Sequence, residues 1–255
     1  MKERTSHRPV ALITGVSRKI GIGAAIAREL AESGWDIAIT YWQPYDKSME
    51  WGSDPDDLKS IVATIKKTGA QVVSYEADLS DIETPKKIFN QIENSMERVS
   101  ALIVNHCHCI ESNILSTTVD SFDLHLAVNA RATWLLIKEF VSRFKNEPGT
   151  GRIISITSDH TAGNLPYGAS KGAMDRIVLA SAWEFKSKGI TANVINPGVT
   201  DTGWMTEDLK SDVNRKTLLN RVGLPQDCAH LVSFLCSKEG GWINSQLLYS
   251  NGGLE

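Results

Sequence analysis

The 255-residue sequence has no run of about 18 apolar residues. That is roughly the length a helix needs to cross a bilayer, so no membrane span is expected. The opening stretch, residues 1–9, is polar and basic and lacks the apolar centre of a secretory signal. Cysteine is scarce: Cys107, Cys109, Cys228 and Cys236 are the full set. The first two lie too close together to frame a disulfide scaffold with the others, and all four read as free thiols of a reducing compartment, the cytoplasm. An excess of charge is missing too. A formal net charge of −3 offers no electrostatic footing for nucleic acid or an anionic membrane as partner. The stretch Asn105-His106-Cys107-His108-Cys109 has the residue types of a metal site. However, neighbours on an extended chain point to opposite faces, and no second cluster at zinc spacing exists, so no metal is expected.

What remains is the composition of an ordinary globular protein, 42% hydrophobic and 22% charged. Short apolar runs alternate with helical spacing along the chain. Strands are predicted at residues 10–13, 36–41, 71–76, 101–105, 152–156, 190–195 and 246–249. Helices are predicted at 24–33, 56–68, 81–98, 120–145, 167–188 and 225–236, and a helical region at 204–219. Residues 43–54 read as a long polar and aromatic loop. Strict alternation of this kind predicts an α/β fold, a single doubly wound Rossmann-type domain over 1–255. Its parallel sheet would have about seven strands flanked by helices.

The first strand, Val10-Ala11-Leu12-Ile13, runs into Thr14-Gly15 and then Val16-Ser17-Arg18-Lys19-Ile20-Gly21-Ile22-Gly23. Strand, Gly-rich turn and helix in that order begin a dinucleotide-binding unit. Glycine lets the backbone approach a pyrophosphate at the positive end of the helix. A carboxylate at the end of the second strand would select NAD by accepting from the ribose 2′-OH. Here the strand ends in Thr40-Tyr41-Trp42, and Arg18 and Lys19 stand in the turn, where a 2′-phosphate would lie. NADP (NADPH) is therefore the expected cofactor and NAD the less favoured one.

Tyr167 and Lys171 are four residues apart at the start of a helical segment, on one face. A nearby ammonium should pull the phenol pKa down and yield a proton donor or acceptor suited to alcohol/carbonyl chemistry. Ser158 falls at the end of the fifth strand, on the sheet edge where α/β proteins bind ligands. Ser155 is mid-strand and should point away from that edge. His160, on the following loop, is within reach of a substrate there.

Taken together, Thr14-Gly15…Gly21-Ile22-Gly23, Asp78-Leu79, Asn105, Asn129, Ser158, Tyr167…Lys171 and Pro197-Gly198-Val199-Thr200-Asp201-Thr202 resemble the classical short-chain dehydrogenase/reductase family over nearly the whole chain. Gly151-Arg152-Ile153-Ile154 and the tail from Arg221 to Gly253 look most like its 3-oxoacyl-acyl-carrier-protein reductase group. The resemblance implies an NADP-dependent oxidoreductase that interconverts a ketone and a secondary alcohol, working as a homotetramer or homodimer on a small-molecule substrate. It implies Tyr167 as the acid/base and Lys171 as its partner on the nicotinamide ribose. Ser158 would bind the substrate carbonyl, and Asn129 would hold a water linking Lys171 to solvent. Gly15, Ser17, Gly21, Ile22 and Gly23 would form the pyrophosphate turn. Asp78 and Leu79 would lie at the adenine, Asn105 on the adenosine side, and Pro197, Gly198 and Thr202 at the nicotinamide end. Residues of about 200–220 would cover the substrate.

The chain departs from the family in three places. Five residues, 16–20, separate Gly15 from Gly21, more than the family's turn holds. The family's Asn-Asn-Ala-Gly segment appears as Asn105-His106-Cys107-His108. Eight residues lie between Ser158 and Tyr167, which implies a shortened loop. These departures also admit a second reading, a dinucleotide-binding sensor or scaffold with weak or lost catalysis.

Overall fold

A computed structural model describes residues 8–160 and 162–254. The N-terminal residues up to 7, Thr161 of the 159–166 loop and the last residue lie outside it. Seven parallel strands form one sheet in the order β3-β2-β1-β4-β5-β6-β7. They are β1 (Val10–Ile13), β2 (Asp36–Tyr41), β3 (Val72–Glu76), β4 (Val99–Val104), β5 (Arg152–Ile156), β6 (Thr191–Asn196) and β7 (Leu247–Tyr249). Every residue of β1, β4, β5 and β6 is buried, which is why none of these strands shows a strict apolar/polar alternation and β1 reads as a continuous apolar run.

Nine α-helices accompany the strands among the described residues: α1 (Ile22–Glu32), α2 (Gln43–Ser48), α3 (Pro55–Lys67), α4 (Thr84–Glu93), α5 (Val119–His125), α6 (Ala132–Arg143), α7 (Leu165–Glu184), α8 (Glu207–Lys216) and α9 (Pro225–Cys236). One face of the sheet buries Ile26 and Leu30 of α1, Ile61 and Ile65 of α3 and Val232 of α9. The other buries Ile88 and Phe89 of α4, Leu136 and Phe140 of α6 and Met174 and Val178 of α7. The chain winds both ways outward from the β1–β4 pair. The carboxyl ends of those two strands therefore flank the crevice where α/β proteins take ligands.

Three predicted elements differ. The expected loop at 43–54 holds helix α2, because Pro44 sits in its first turn, where a missing N–H costs nothing and a fixed φ favours the helix. The expected helix at 81–98 is shorter, since Pro85 again marks the first turn, after an Asp81 carboxylate has accepted from the Glu83 N–H at 2.9 Å. The long helix expected at 120–145 is interrupted by a π-helical turn, Leu126–Arg131, between α5 and α6. Such a turn inserts a residue and re-aims the side chains around it.

Candidate active site

The glycine turn between β1 and α1 is packed against the segment after β4. Gly15 has φ 72°, and a Cβ there would lie 2.7 Å from the His106 Cα. A Cβ on Gly23 would lie 2.6 Å from Asn105 Nδ2 and 2.8 Å from the Gly15 carbonyl. Both positions therefore require glycine for close approach, and Gly15 requires it for its left-handed φ as well. Asn105 donates from its carboxamide to the carbonyls of Thr14 (3.1 Å) and Gly15 (2.9 Å), so it shapes the turn itself. Ile22 packs on the core side, and Ser17 is half-buried. Helix α1 opens at Gly21 with no side chain capping it and no acid in its first turn. That leaves donor groups and dipole of the sign an anion needs.

The two basic residues of the turn are in different states. The Lys19 ammonium is 3.2 Å from Asp57 and 3.9 Å from Asp54, and its backbone N–H donates to Asp57 at 3.1 Å. Arg18 has no carboxylate partner among the described residues. It donates to the Thr202 carbonyl at 2.8 Å and lies with its guanidinium carbon 4.9 Å from the Trp51 ring centroid.

Beyond Asn105, the chain is held by histidines. His106 is buried, with its Nε2 donating to the Val128 carbonyl at 2.9 Å and its Nδ1 2.7 Å from the Thr14 hydroxyl. Burial, aided by the Lys171 charge, pushes its pKa down to about 3, so the ring is neutral. His108 packs against Tyr45 of α2 and against His125, at centroid distances of 5.5 and 4.5 Å. Asn129, fully buried in the π turn, accepts from the His108 N–H at 2.7 Å. It donates to the His108 carbonyl (2.9 Å) and to the Ser170 hydroxyl (2.8 Å). Both amide hydrogens of the Asn129 carboxamide are thus engaged by protein. The π turn brings it onto the backbone of the 105–109 segment.

Helix α7 carries Tyr167 and Lys171 as the spacing implied, starting two residues earlier with Pro166 in its first turn. Ser158, just past β5, lies near the Tyr167 phenol, whose pKa it lowers, and accepts from the His160 N–H at 3.2 Å. Ser155 is buried in mid-strand. Lys171 is buried, donates to the Ile156 carbonyl at 2.8 Å and has its Nζ 5.7 Å from the Tyr167 ring centroid.

The phenol pKa moves opposite to expectation. Burial holds Tyr167 well above the ordinary tyrosine value, and the Cys107 and Cys109 thiols and the Tyr45 phenol add to the rise. Ser158 opposes it. Burial also lowers the Lys171 pKa. For Tyr167, desolvation outweighs the opposing contribution of Ser158, so the phenol is protonated near neutral pH.

The remaining predicted positions lie along the same sheet edge. Asp78 accepts from the Ser80 N–H and hydroxyl at 2.8 and 2.7 Å, and Leu79 is buried beneath it. Pro197 is buried, and Gly198 at φ 63° leaves no room for a Cβ against Asn251 (2.5 Å). Thr202 is the carbonyl that Arg18 holds. His160 is exposed. Sequence reasoning missed Tyr45, Trp51 and Asn164. The Tyr45 hydroxyl donates to the Cys109 carbonyl at 3.3 Å, and the Asn164 carboxamide reaches the Cys109 sulfur at 3.2 Å. Pro44 was the available signal for the helix that carries Tyr45.

A family model described as Enoyl-(Acyl carrier protein) reductase matches residues 15–255. An uncharacterized oxidoreductase of Bacillus subtilis, YjdA, is 36% identical, the match covering 97% of each chain. The NADPH-dependent aldehyde reductase-like protein of Arabidopsis thaliana chloroplasts is 34% identical over 96% of this chain and 93% of its own. Among solved structures, a short-chain dehydrogenase of Burkholderia cenocepacia in complex with NADP superposes with a TM-score of 0.85 at 30% identity, covering 97% of this chain and 98% of that one. Sheet order, glycine turn, Ser–Tyr–Lys set and these relatives agree: the chain belongs to the short-chain dehydrogenase/reductase family of NAD(P)-dependent oxidoreductases.

Proposed function

We propose that this enzyme is an NADPH-dependent reductase of a small carbonyl compound, interconverting a ketone or aldehyde with the corresponding alcohol. The observation that carries this reading is a half-buried, protonated Tyr167 phenol at the end of β5 near Ser158, with Lys171 one turn further along the same helix and its Nζ 5.7 Å from the Tyr167 ring centroid. The residues present fit a dinucleotide: Gly15 and Gly23 leave only backbone at the turn, α1 is uncapped, and Arg18 carries a positive charge with no carboxylate partner. The relative named as NADPH-dependent and the structure solved with NADP support the phosphorylated cofactor.

When bound, the reduced nicotinamide supplies the hydride. Ser158 and Tyr167 donate hydrogen bonds to the substrate carbonyl oxygen and polarise it. Tyr167 passes its proton to that oxygen as charge develops there, acting as general acid. Lys171, buried beside it, favours the transient phenolate and so lowers the cost of the transfer. Asn129 acts through others: it fixes the His108 backbone and the Ser170 hydroxyl, and with them the start of α7 against the 105–109 segment. Residues 200–220, which include α8, cover the substrate. A free carbonyl compound suits this chain better than an acyl chain on a carrier protein, because Pro148-Gly149-Thr150 precedes β5 where the carrier-directed group tends to be basic.

The test is a carbonyl panel, aldehydes, cyclic ketones and 3-oxoacyl esters, followed by nicotinamide absorbance with NADPH. Turnover of one class supports the reading. Saturable NADPH binding with no turnover of any class would instead favour the sensor or scaffold.

A further inference from the structure

We propose that Trp51 is a cofactor-specificity residue, holding the Arg18 guanidinium in place to receive the 2′-phosphate. This rests on the NADPH reading above. Trp51 follows α2, in the segment between β2 and α3 whose residues 43–54 read as a long polar and aromatic loop. Its ring lies under Arg18 at 4.9 Å, within the range where a guanidinium is attracted to the face of an aromatic ring. The ring is itself fixed. Its indole N–H donates to Asp46 Oδ1 at 3.1 Å, and Asp46 is only 5% exposed. Tyr45 packs edge-on against it at 6.4 Å.

Arg18 is thus held from two sides, by the Trp51 face and by the Thr202 carbonyl at 2.8 Å. A guanidinium has five N–H donors, and the Thr202 carbonyl is the one acceptor Arg18 meets among the described residues. The others remain for a phosphate, which Arg binds in a planar fork. Lys19, the other candidate, is neutralised by Asp57 and Asp54, and those carboxylates would repel a phosphate placed beside them. The lengthened glycine turn makes the arrangement possible. It carries Arg18 out to Trp51, and it sets Ile20 against Gly203, where a Cβ would be 2.4 Å from the Ile20 side chain. An aromatic platform of this kind restricts the rotamers of a long side chain before the ligand arrives and so lowers the ordering cost of binding.

The experiment measures Kd for NADPH and NADH by intrinsic fluorescence in the wild type, Arg18→Ala, Lys19→Ala, Trp51→Ala, Trp51→Leu, Trp51→Phe and the Arg18→Ala/Trp51→Ala double variant. Melting temperatures check folding, and kcat at saturating NADPH serves as a second readout. Arg18→Ala should lower the NADPH/NADH preference by about tenfold or more. Trp51→Ala and Trp51→Leu should each lower it about three- to tenfold with kcat unchanged. Trp51→Phe should retain most of it, and Lys19→Ala should leave it within about twofold. The double variant should be no worse than Arg18→Ala alone, the sign of one coupled unit. If Trp51→Leu leaves the preference unchanged, or the two losses simply add, Trp51 does not act through Arg18 and the proposal falls while the NADPH reading stands. If Arg18→Ala leaves the preference unchanged, both fall.

Discussion

The Asn105 carboxamide occupies the space that a methyl on Gly23 would need, 2.6 Å from the ideal Cβ position. The same carboxamide donates to the Gly15 carbonyl, which a Gly23 Cβ would also meet at 2.8 Å. Glycine at 23 and asparagine at 105 are thus one device for setting the turn at the end of β1. Gly23→Ala must push the Asn105 side chain, the Gly15 backbone, or both. We expect a loss of about 1–3 kcal/mol in stability, as for an overpacked site, together with a weaker Kd for NADPH. Urea titration and cofactor fluorescence on the same variant measure the two. Unchanged values in both would mean that the turn has slack that the packing does not show.

Tyr167→Phe removes the hydroxyl near Ser158 and keeps the half-buried ring. Turnover should fall by about 10²–10⁴, the usual contribution of a positioned general acid, while Kd for NADPH stays within about threefold. Wild-type-like kcat in this variant would remove Tyr167 from the chemistry.

His106 predicts an acid-sensitive fold. Its pKa falls from an ordinary 6.5 to about 3 in the folded chain, so at intermediate pH the unfolded chain binds a proton that the folded chain does not. Stability contributed by the neutral ring is complete above about pH 6.5 and is lost progressively as pH falls towards 3. His106→Asn removes this titration, and the fall in melting temperature between neutral and mildly acidic pH should become shallower. An unaltered slope would assign the acid sensitivity to other groups. His108, also held down by burial to about 4, is the next candidate.

Arg152 opens β5 but is buried, and its guanidinium donates to the carbonyls of Leu235 (3.0 Å), Ser237 (3.2 Å), Gly149 (2.7 Å) and Gly151 (3.0 Å). It ties the sheet to the carboxyl end of α9, where a cation also opposes the helix dipole. Arg152→Met keeps the bulk and strands these acceptors, at a cost of about 3 kcal/mol or more. Equilibrium urea unfolding measures it, and kcat at saturating substrate should hold, because the site lies at the other end of the strands.

Periodicity alone carried most of the architecture. The apolar run Val10–Ile13 is buried on both faces, so its composition announces a parallel sheet. Glycine spacing marked the turn, and the i,i+4 relation of Tyr167 and Lys171 follows from helix geometry without tertiary information. What local pattern could not supply was anything set by contacts between distant segments. The sign of the Tyr167 shift depends on burial, reinforced by Cys107, Cys109 and Tyr45, which come from the segment after β4 and from α2. The choice between Arg18 and Lys19 depends on Asp57 and Trp51, which lie more than thirty residues further along the chain. The engagement of the Asn129 carboxamide depends on a π turn that helical spacing does not reveal. Side-chain identity and spacing determined which chemical groups reach the sheet edge. Desolvation and pairing, which exist only once the segments meet, decided which of them are charged, which are held, and which remain available to a ligand.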